Sequence, residues 1–305
     1  MRNMFLTMMA ALLLTMGTAT ADWSDDARAA NQRGDYATEF QILQSAAEHG
    51  SARAELLIGM HYAEGKGVTQ DFAEAIKWYR QAAEQGDAIA QNQLGLMYSN
   101  GQGVRQDDAE AVKWYRLAAA QGFPEAQSNL GVAYSGGRGV TQNYAEAVSW
   151  FRRAADQGSA GAQNSLGVAY HEGEGVKQNY AESAKWFQLA ASQGFAGAQF
   201  NLANMYMTGE GVTLDYWEAA KWFRLAAAQG VAMAQFNLGK MYFEGIGVLQ
   251  DYVYAYMWTN ISAVSGLSSA AAGRDFIAAR MTPQQIAEAQ ELARECQQRN
   301  LRDCN

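Results

Sequence analysis

The chain has 305 residues, of which 49% are hydrophobic and two are proline, and it carries a formal charge of -8. That apolar content argues against disorder outside the ends, and the acidic balance argues against nucleic acid or an anionic membrane as partner, since both need clustered Lys and Arg. The first segment reads as a signal peptide over residues 1–21: Arg2 supplies a positive end, Met4 to Met16 is an apolar run too short to span a bilayer, and Ala19-Thr20-Ala21 fits the small-x-small cleavage rule. A mature start at Asp22 is expected. Its loss takes Arg2 away and brings the charge to about -9. No later stretch is long and apolar enough for a membrane span, so the expectation is an exported protein, periplasmic in a Gram-negative cell and otherwise secreted, with no membrane insertion after cleavage.

Residues 22–50 read as an N-terminal capping half-repeat. A short helix near Trp23 to Gln32 precedes a helix from Gly34-Asp35-Tyr36 to His49-Gly50, with Ile42 where later units carry Trp. Then a 36-residue beat begins: Trp78, Trp114, Trp150, Trp186, Trp222 and Trp258 are copies of one position, and Gly86, Gly122, Gly158, Gly194, Gly230 and Gly266 are copies of another. Six units follow, 51–86, 87–122, 123–158, 159–194, 195–230 and 231–266. A length of 305 would ordinarily suggest two domains, but a fixed period in this range marks a stacked array that folds as one continuous whole.

Within a unit, Ala90, Gln91, Leu94, Gly95 and Tyr98 lie on one face of a helix, A. The small residue in the middle (Gly59, Gly95, Gly131, Gly167, Ala203, Gly239) lowers helix propensity and is expected to admit a close neighbour. Gly-x-Gly-Val, as in Gly101-Gln102-Gly103-Val104, predicts a turn with left-handed positions; no Gly-Lys-Ser/Thr follows to make it a phosphate loop. Helix B opens on Asp71 with Glu74, Asp107 with Glu110, Asn143 with Glu146, Asn179 with Glu182 and Asp215 with Glu218. This spacing predicts a capping box, each cap worth about 1 kcal/mol. The recurrent Trp is expected to wedge between neighbours in the core. The last unit departs from the pattern, with Tyr254 in place of the capping Glu.

Residues 267–305 read as C-terminal capping helices, Ser268 to Arg280 and Thr282-Pro283 to about Gln298, the second begun by Thr at its cap and Pro at its first position. Cys296 and Cys304 are the only cysteines. In an exported chain they are disulfide candidates, but a straight helix would hold their Cα atoms about 12 Å apart, so a bond requires the chain to turn back; two free thiols are the alternative.

The unit Ala-x-Ala-Gln-x-x-Leu-Gly-x-x-Tyr, then Gly-x-Gly-Val, then Asp-Tyr-x-Glu-Ala-x-Lys-Trp-Phe/Tyr-Arg-x-Ala-Ala-x-Gln-Gly, resembles the Sel-1-like repeat, a relative of the tetratricopeptide repeat. The resemblance covers residues 51 to 266. It implies an all-α, α/α right-handed superhelical solenoid of 36-residue helix-turn-helix repeats, lined inside mainly by A helices, and a scaffold or adaptor role that includes envelope machinery in bacteria. A cysteine-rich branch of that family carries a β-lactamase-like label, which gives an alternative reading as a cell-wall or β-lactam binding or hydrolysing protein. The repeats here lack that branch's cysteine pairs.

No metal or cofactor is expected: there is no His-Glu-x-x-His, no Cys-x-x-Cys and no calcium loop. The serine, lysine and accompanying elements of a penicillin-recognising enzyme are missing as well. His61 and His171 are one-off substitutions on A helices and read as surface or packing residues. A non-catalytic protein, monomeric and binding a protein or peptide, is therefore expected. If recurrent positions hold the array, variable ones are free to recognise a partner. The face of helix A opposite Gln91 holds Ile89, Gln93, Leu96 and Asn100, then Glu125, Asn129 and Val132, then Ser165, Val168 and Glu172. It continues through Asn201, Asn204 and Thr208 to Met233, Asn237, Lys240 and Glu244. Phe200, Met207, Phe236 and Phe243, at columns where earlier units carry smaller or polar residues, are candidate anchors, with burial against an adjoining helix as the competing role.

Overall fold

The computed structural model describes residues 21–299, 301 and 304. The expected leader therefore lies outside the described residues, apart from Ala21. Sixteen helices and no strand are present among the described residues. The N-terminal pair is α1 (Ala21–Gln32) and α2 (Tyr36–Glu48). The repeats supply α3 (Ala52–Glu64), α4 (Phe72–Glu84), α5 (Ala88–Asn100), α6 (Asp108–Ala120), α7 (Pro124–Gly136) and α8 (Tyr144–Asp156). They continue with α9 (Ala160–Glu172), α10 (Tyr180–Ser192), α11 (Ala196–Thr208), α12 (Tyr216–Ala228), α13 (Ala232–Glu244) and α14 (Tyr252–Val264). The chain closes with α15 (Ser268–Ala278) and α16 (Pro283–Gln298). Odd-numbered helices from α3 to α13 are the A helices and even-numbered ones from α4 to α14 the B helices. The chain divides into two compact units, Met1–Gln121 and Gly122–Asn305, at the join between the second and third repeats.

Local chemistry sets each boundary. B helices start where Asp or Asn turns a side-chain oxygen onto the free N–H groups, as Asn143 does to Glu146 at 3.1 Å. The acid three residues on does something other than complete a capping box: it turns to the next lysine, in the pairs Glu74–Lys77, Glu110–Lys113, Glu182–Lys185 and Glu218–Lys221. On an exposed helix face an ammonium three residues away competes well for a carboxylate, and solvent screening keeps the contribution of each pair small. Among the described residues, both halves of a capping box occur at Thr282 and Gln285, at the start of α16.

The core wedge is not the tryptophan but the residue after it. Tyr79, Tyr115, Phe151, Phe187 and Phe223 are buried, whereas Trp78, Trp114, Trp150 and Trp186 are half-buried, and only Trp222 and Trp258 reach the interior. On a B helix the buried stripe is Ala111, Val112, Tyr115, Ala118 and Ala119, and Trp114 lies at its edge. The aromatic wedge explains the glycine of helix A. A Cβ on Gly167 would stand 2.6 Å from the Phe187 ring, so helices A and B of one unit meet ring against backbone. The leucines one residue earlier, Leu94, Leu130, Leu166, Leu202 and Leu238, are fully buried, each stabilising by about 1.5–3 kcal/mol.

Both glycines of the turn are left-handed, as in Gly173 at φ +77° and Gly175 at φ +72°. The second also sits on the preceding unit: a Cβ on Gly175 would lie 2.3 Å from the carbonyl of Tyr144, where α8 begins. A glutamine ladder forms another joint. Gln163 is buried; its amide donates to the Ala155 carbonyl of the preceding B helix at 3.2 Å, while its own carbonyl accepts from Gln193 at 2.7 Å. Gln91 and Gln199 repeat the arrangement. An arginine on the B helix also reaches the tyrosine of the next A helix, as Arg152 does to Tyr170 and Arg224 to Tyr242.

The ends depart from this scheme. In the first repeat Glu55 replaces the ladder glutamine and accepts from Gln85 at 2.7 Å. His61 is neither on the surface nor merely packed: it is buried, with Nδ1 2.7 Å from the Lys66 carbonyl and Nε2 3.3 Å from Glu39. A carbonyl only accepts, so the contact with Lys66 calls for the tautomer with its proton on Nδ1, leaving Nε2 toward the Glu39 carboxylate. Asn31 donates to the same Glu39, so α1, α2 and α3 meet at one buried carboxylate. At the other end Cys296 and Cys304 are disulfide-bonded, their Cα atoms 5.1 Å apart. The chain turns back after α16 through Leu301, whose N–H bonds to the Cys296 carbonyl and whose φ is +62°.

Candidate partner-binding face

The sequence-predicted residues occupy the A helices as expected, but with unequal freedom. In the first compact unit, residues 1–121, Gln93 and Leu96 are half-buried and Asn100 is exposed at the end of α5. In the second compact unit, residues 122–305, Val132, Glu172, Met233 and Lys240 are exposed, while Asn129, Ser165, Val168, Asn201, Asn204 and Asn237 are half-buried. Several polar groups are already engaged: Asn201 donates to Asn164 at 3.1 Å, Asn204 to the Phe200 carbonyl, and Ser165 to the Gly161 carbonyl. His171 lies between Glu172 and Glu210, at 2.8 and 3.3 Å.

The four anchor candidates all have partners within the fold. Phe200 packs on Phe223 at 5.9 Å, and Met207 lies against the same core. Phe236 rests where a Cβ on Gly273 of α15 would meet it at 2.9 Å. Phe243 stacks on Tyr252 at 5.4 Å and leans on Phe276 at 5.5 Å. Removing Phe236 or Phe243 would therefore disturb the seam with the C-terminal helices as well as any surface.

Open space lies elsewhere on this face. A cleft of about 180 Å³ opens between α7, α8 and α9, lined by Val132, Ser165 and Val168 from the predicted face together with Ser135, Tyr144, Ala147, Val148, Phe151, Asn164, Ala169 and Glu174. The same place one unit later is filled. Phe200 stands 36 residues after Asn164, Met205 after Ala169 and His171 after Ser135, and Met205 is buried with its sulfur 3.9 Å from the Ser183 hydroxyl. Small residues at these columns leave the gap. Helical-wheel reasoning on helix A alone missed Tyr144, Ala147 and Phe151, because they come from helix B. It also passed over the outward apolar residues of the B helices, Leu189, Leu225 and the 63% exposed Trp217. Leu117, Leu189 and Leu225 share one column, which was the available signal.

Burial is the main electrostatic influence on the ladder. Loss of solvent raises the carboxyl of Glu55 above the usual glutamate range, and the hydrogen bond from Gln85 partly offsets this. Among the described residues no group of three or more His, Cys, Asp or Glu side chains is placed to hold a metal ion, and no helix is long and apolar enough to cross a membrane.

Repeated helix pairs, joints made by recurrent residues and a face of variable ones define a helical-repeat protein. The Sel1 repeat model matches residues 52–87, 88–123, 124–159, 160–195, 196–231 and 232–263, and the chain belongs to the Sel1 repeat family. Proteins of this family generally bind protein partners and are typically non-catalytic. Among solved structures, the chain is similar to c5321, described as a protective antigen present in uropathogenic Escherichia coli strains and displaying an SLR fold. The two are 40% identical with a TM-score of 0.75, over 87% of this chain and 57% of that one. The chain thus spans little more than half the length of that relative. A Sel1 repeat protein from Oxalobacter formigenes is 32% identical with a TM-score of 0.74, over 80% of this chain and 97% of that one. No curated protein matches the chain.

Proposed function

We propose that this chain is an exported, non-catalytic adaptor that binds a protein or peptide through the variable face of its A helices, as a monomer in the cell envelope. One observation carries the reading: recurrent residues are consumed by packing and joints, whereas the variable Val132, Ser165 and Val168 border open space. A preformed surface of this kind loses little entropy on binding. The apolar run behind Arg2 and the Cys296–Cys304 bond support export to an oxidising compartment, the periplasm in a Gram-negative cell.

Photo-cross-linking residues placed at Val132 and Met233, 41% and 44% exposed, should trap a shared adduct in intact cells, and one at the loop residue Leu249 should not. Identical adducts from all three sites, or none from the first two, would overturn the proposal. N-terminal sequencing of fractionated material is expected to begin at Asp22 in the exported pool; a full-length cytoplasmic protein would refute export.

A further inference from the structure

We propose that the cleft between α7, α8 and α9 receives one aromatic side chain of a partner peptide, with an adjacent basic residue of that peptide reaching Glu174. This rests on the adaptor reading and deepens it.

The chain itself shows what such a space accepts. One repeat on, Phe200 and Met205 fill the place that Asn164 and Ala169 leave open, and Phe200 lies on the buried ring of its unit at 5.9 Å. The cleft keeps a receptive wall of its own in Phe151, Val148 and Val168. Its volume of about 180 Å³ is on the scale of the roughly 150 Å³ that holds a benzene ring in an enclosed apolar cavity, and here one side stays open to solvent. The rim then selects by charge. Glu174 is the acid lining the cleft, Glu172 is exposed at the end of α9, and no lysine or arginine lines the opening. A phenyl ring brings dispersion and burial in the cleft, and a neighbouring guanidinium or ammonium meets the carboxylate at its edge. Ser135 gives the mouth a hydroxyl, and Asn164, whose side-chain carbonyl accepts from Asn201, gives it an amide NH2, and both suit a peptide backbone.

The test titrates the full chain, with labelled methyl groups, against acetyl-Phe-Arg-amide, acetyl-Ala-Arg-amide and acetyl-Phe-Glu-amide. The Val132, Val148 and Val168 methyl resonances should shift with the first, with a dissociation constant on the order of millimolar, as befits so small a ligand. The alanine peptide should leave them in place, and the glutamate peptide should bind more weakly. Asn164→Phe with Ala169→Met, which copies the next repeat, should fill the cleft and remove the response. Glu174→Gln, on the surface, should abolish the preference for arginine over glutamate without touching the core, and it keeps the test open should the double variant fail to fold. Unchanged shifts in the double variant, an equal response to the alanine peptide, no response to the first peptide or an unaltered charge preference in Glu174→Gln would each overturn the assignment. A cross-link from Val132 that persists without any peptide response would sink the cleft and leave the adaptor standing. Peptide binding without any cellular adduct would sink the adaptor alone.

Discussion

Gln193, at the end of one B helix, donates its side-chain amide to the carbonyl oxygen of Gln163 on the A helix of the same repeat at 2.7 Å, and Gln163 in turn donates backward to Ala155. One buried amide thus joins three helices. Gln163→Leu should cost about 0.5–1.5 kcal/mol, the net worth of a hydrogen bond, since the exposed Gln193 amide turns to water when its acceptor is gone. In a double-mutant cycle with Gln193→Leu, urea midpoints should give a coupling of about 0.5–3 kcal/mol. Simple additivity would show that the Gln163–Gln193 bond contributes nothing to stability.

Two adjacent aromatic residues should respond differently. Phe151 is buried and fills the space above Gly131, so Phe151→Ala is expected to cost about 3–5 kcal/mol. Trp150 is half-buried with the Arg153 guanidinium 4.5 Å from its ring, and Trp150→Ala should cost clearly less, about 1–2 kcal/mol. Equal losses in thermal or chemical unfolding would restore the tryptophan as the wedge.

Two left-handed glycines offer a contrast between backbone strain alone and strain with collision. Gly158→Ala meets nothing within 4 Å, so it should cost only the left-handed penalty of about 1–2 kcal/mol. Gly175→Ala also drives a methyl into the Tyr144 carbonyl, and its melting temperature should fall further. A Gly175 variant as stable as the Gly158 variant would mean that the turn moves freely away from α8.

Glu55 gives a pH dependence of definite sign. Its folded-state carboxyl is raised by burial, so as pH climbs past the ordinary glutamate value the unfolded chain loses its proton first. Stability from this residue is therefore greatest in acid and declines as pH rises through the raised value. Glu55→Gln, which restores the residue used at Gln91 and Gln163, should flatten that decline and raise the neutral-pH unfolding free energy by about 0.5–1.5 kcal/mol. An unchanged slope between parent and variant would remove Glu55 as its source.

Much of this was legible in the chain. The 36-residue beat fixes the helix pairs, the Gly-x-Gly turns and the two ends, because each recurs for one local reason. Choosing between Trp150 and Phe151 required the full stripe: Ala147, Val148, Phe151, Ala154 and Ala155 are buried, and Trp150 sits beside them rather than among them. The larger residue drew the expectation although the phase of the helix pointed to its neighbour. The cleft was half visible. Val132, Ser165 and Val168 followed from the wheel of helix A, but the gap depends on Asn164 and Ala169 being small where Phe200 and Met205 are large, and that emerges only when columns are compared for volume as well as polarity. The buried Glu39–His61 pair had no signal, since a lone histidine in a repeat reads as chance variation.

The two joints described for α8 and α9 bracket the gap between them. Gln163 meets Ala155 near one end of the helix pair, Gly175 rests on Tyr144 near the other, and Val148 and Val168 face the opening from the middle. A slot fastened at both extremities has little room to widen, so entry under this proposal is governed by thickness: a flat ring fits edge-on, and a side chain branched out of one plane does not.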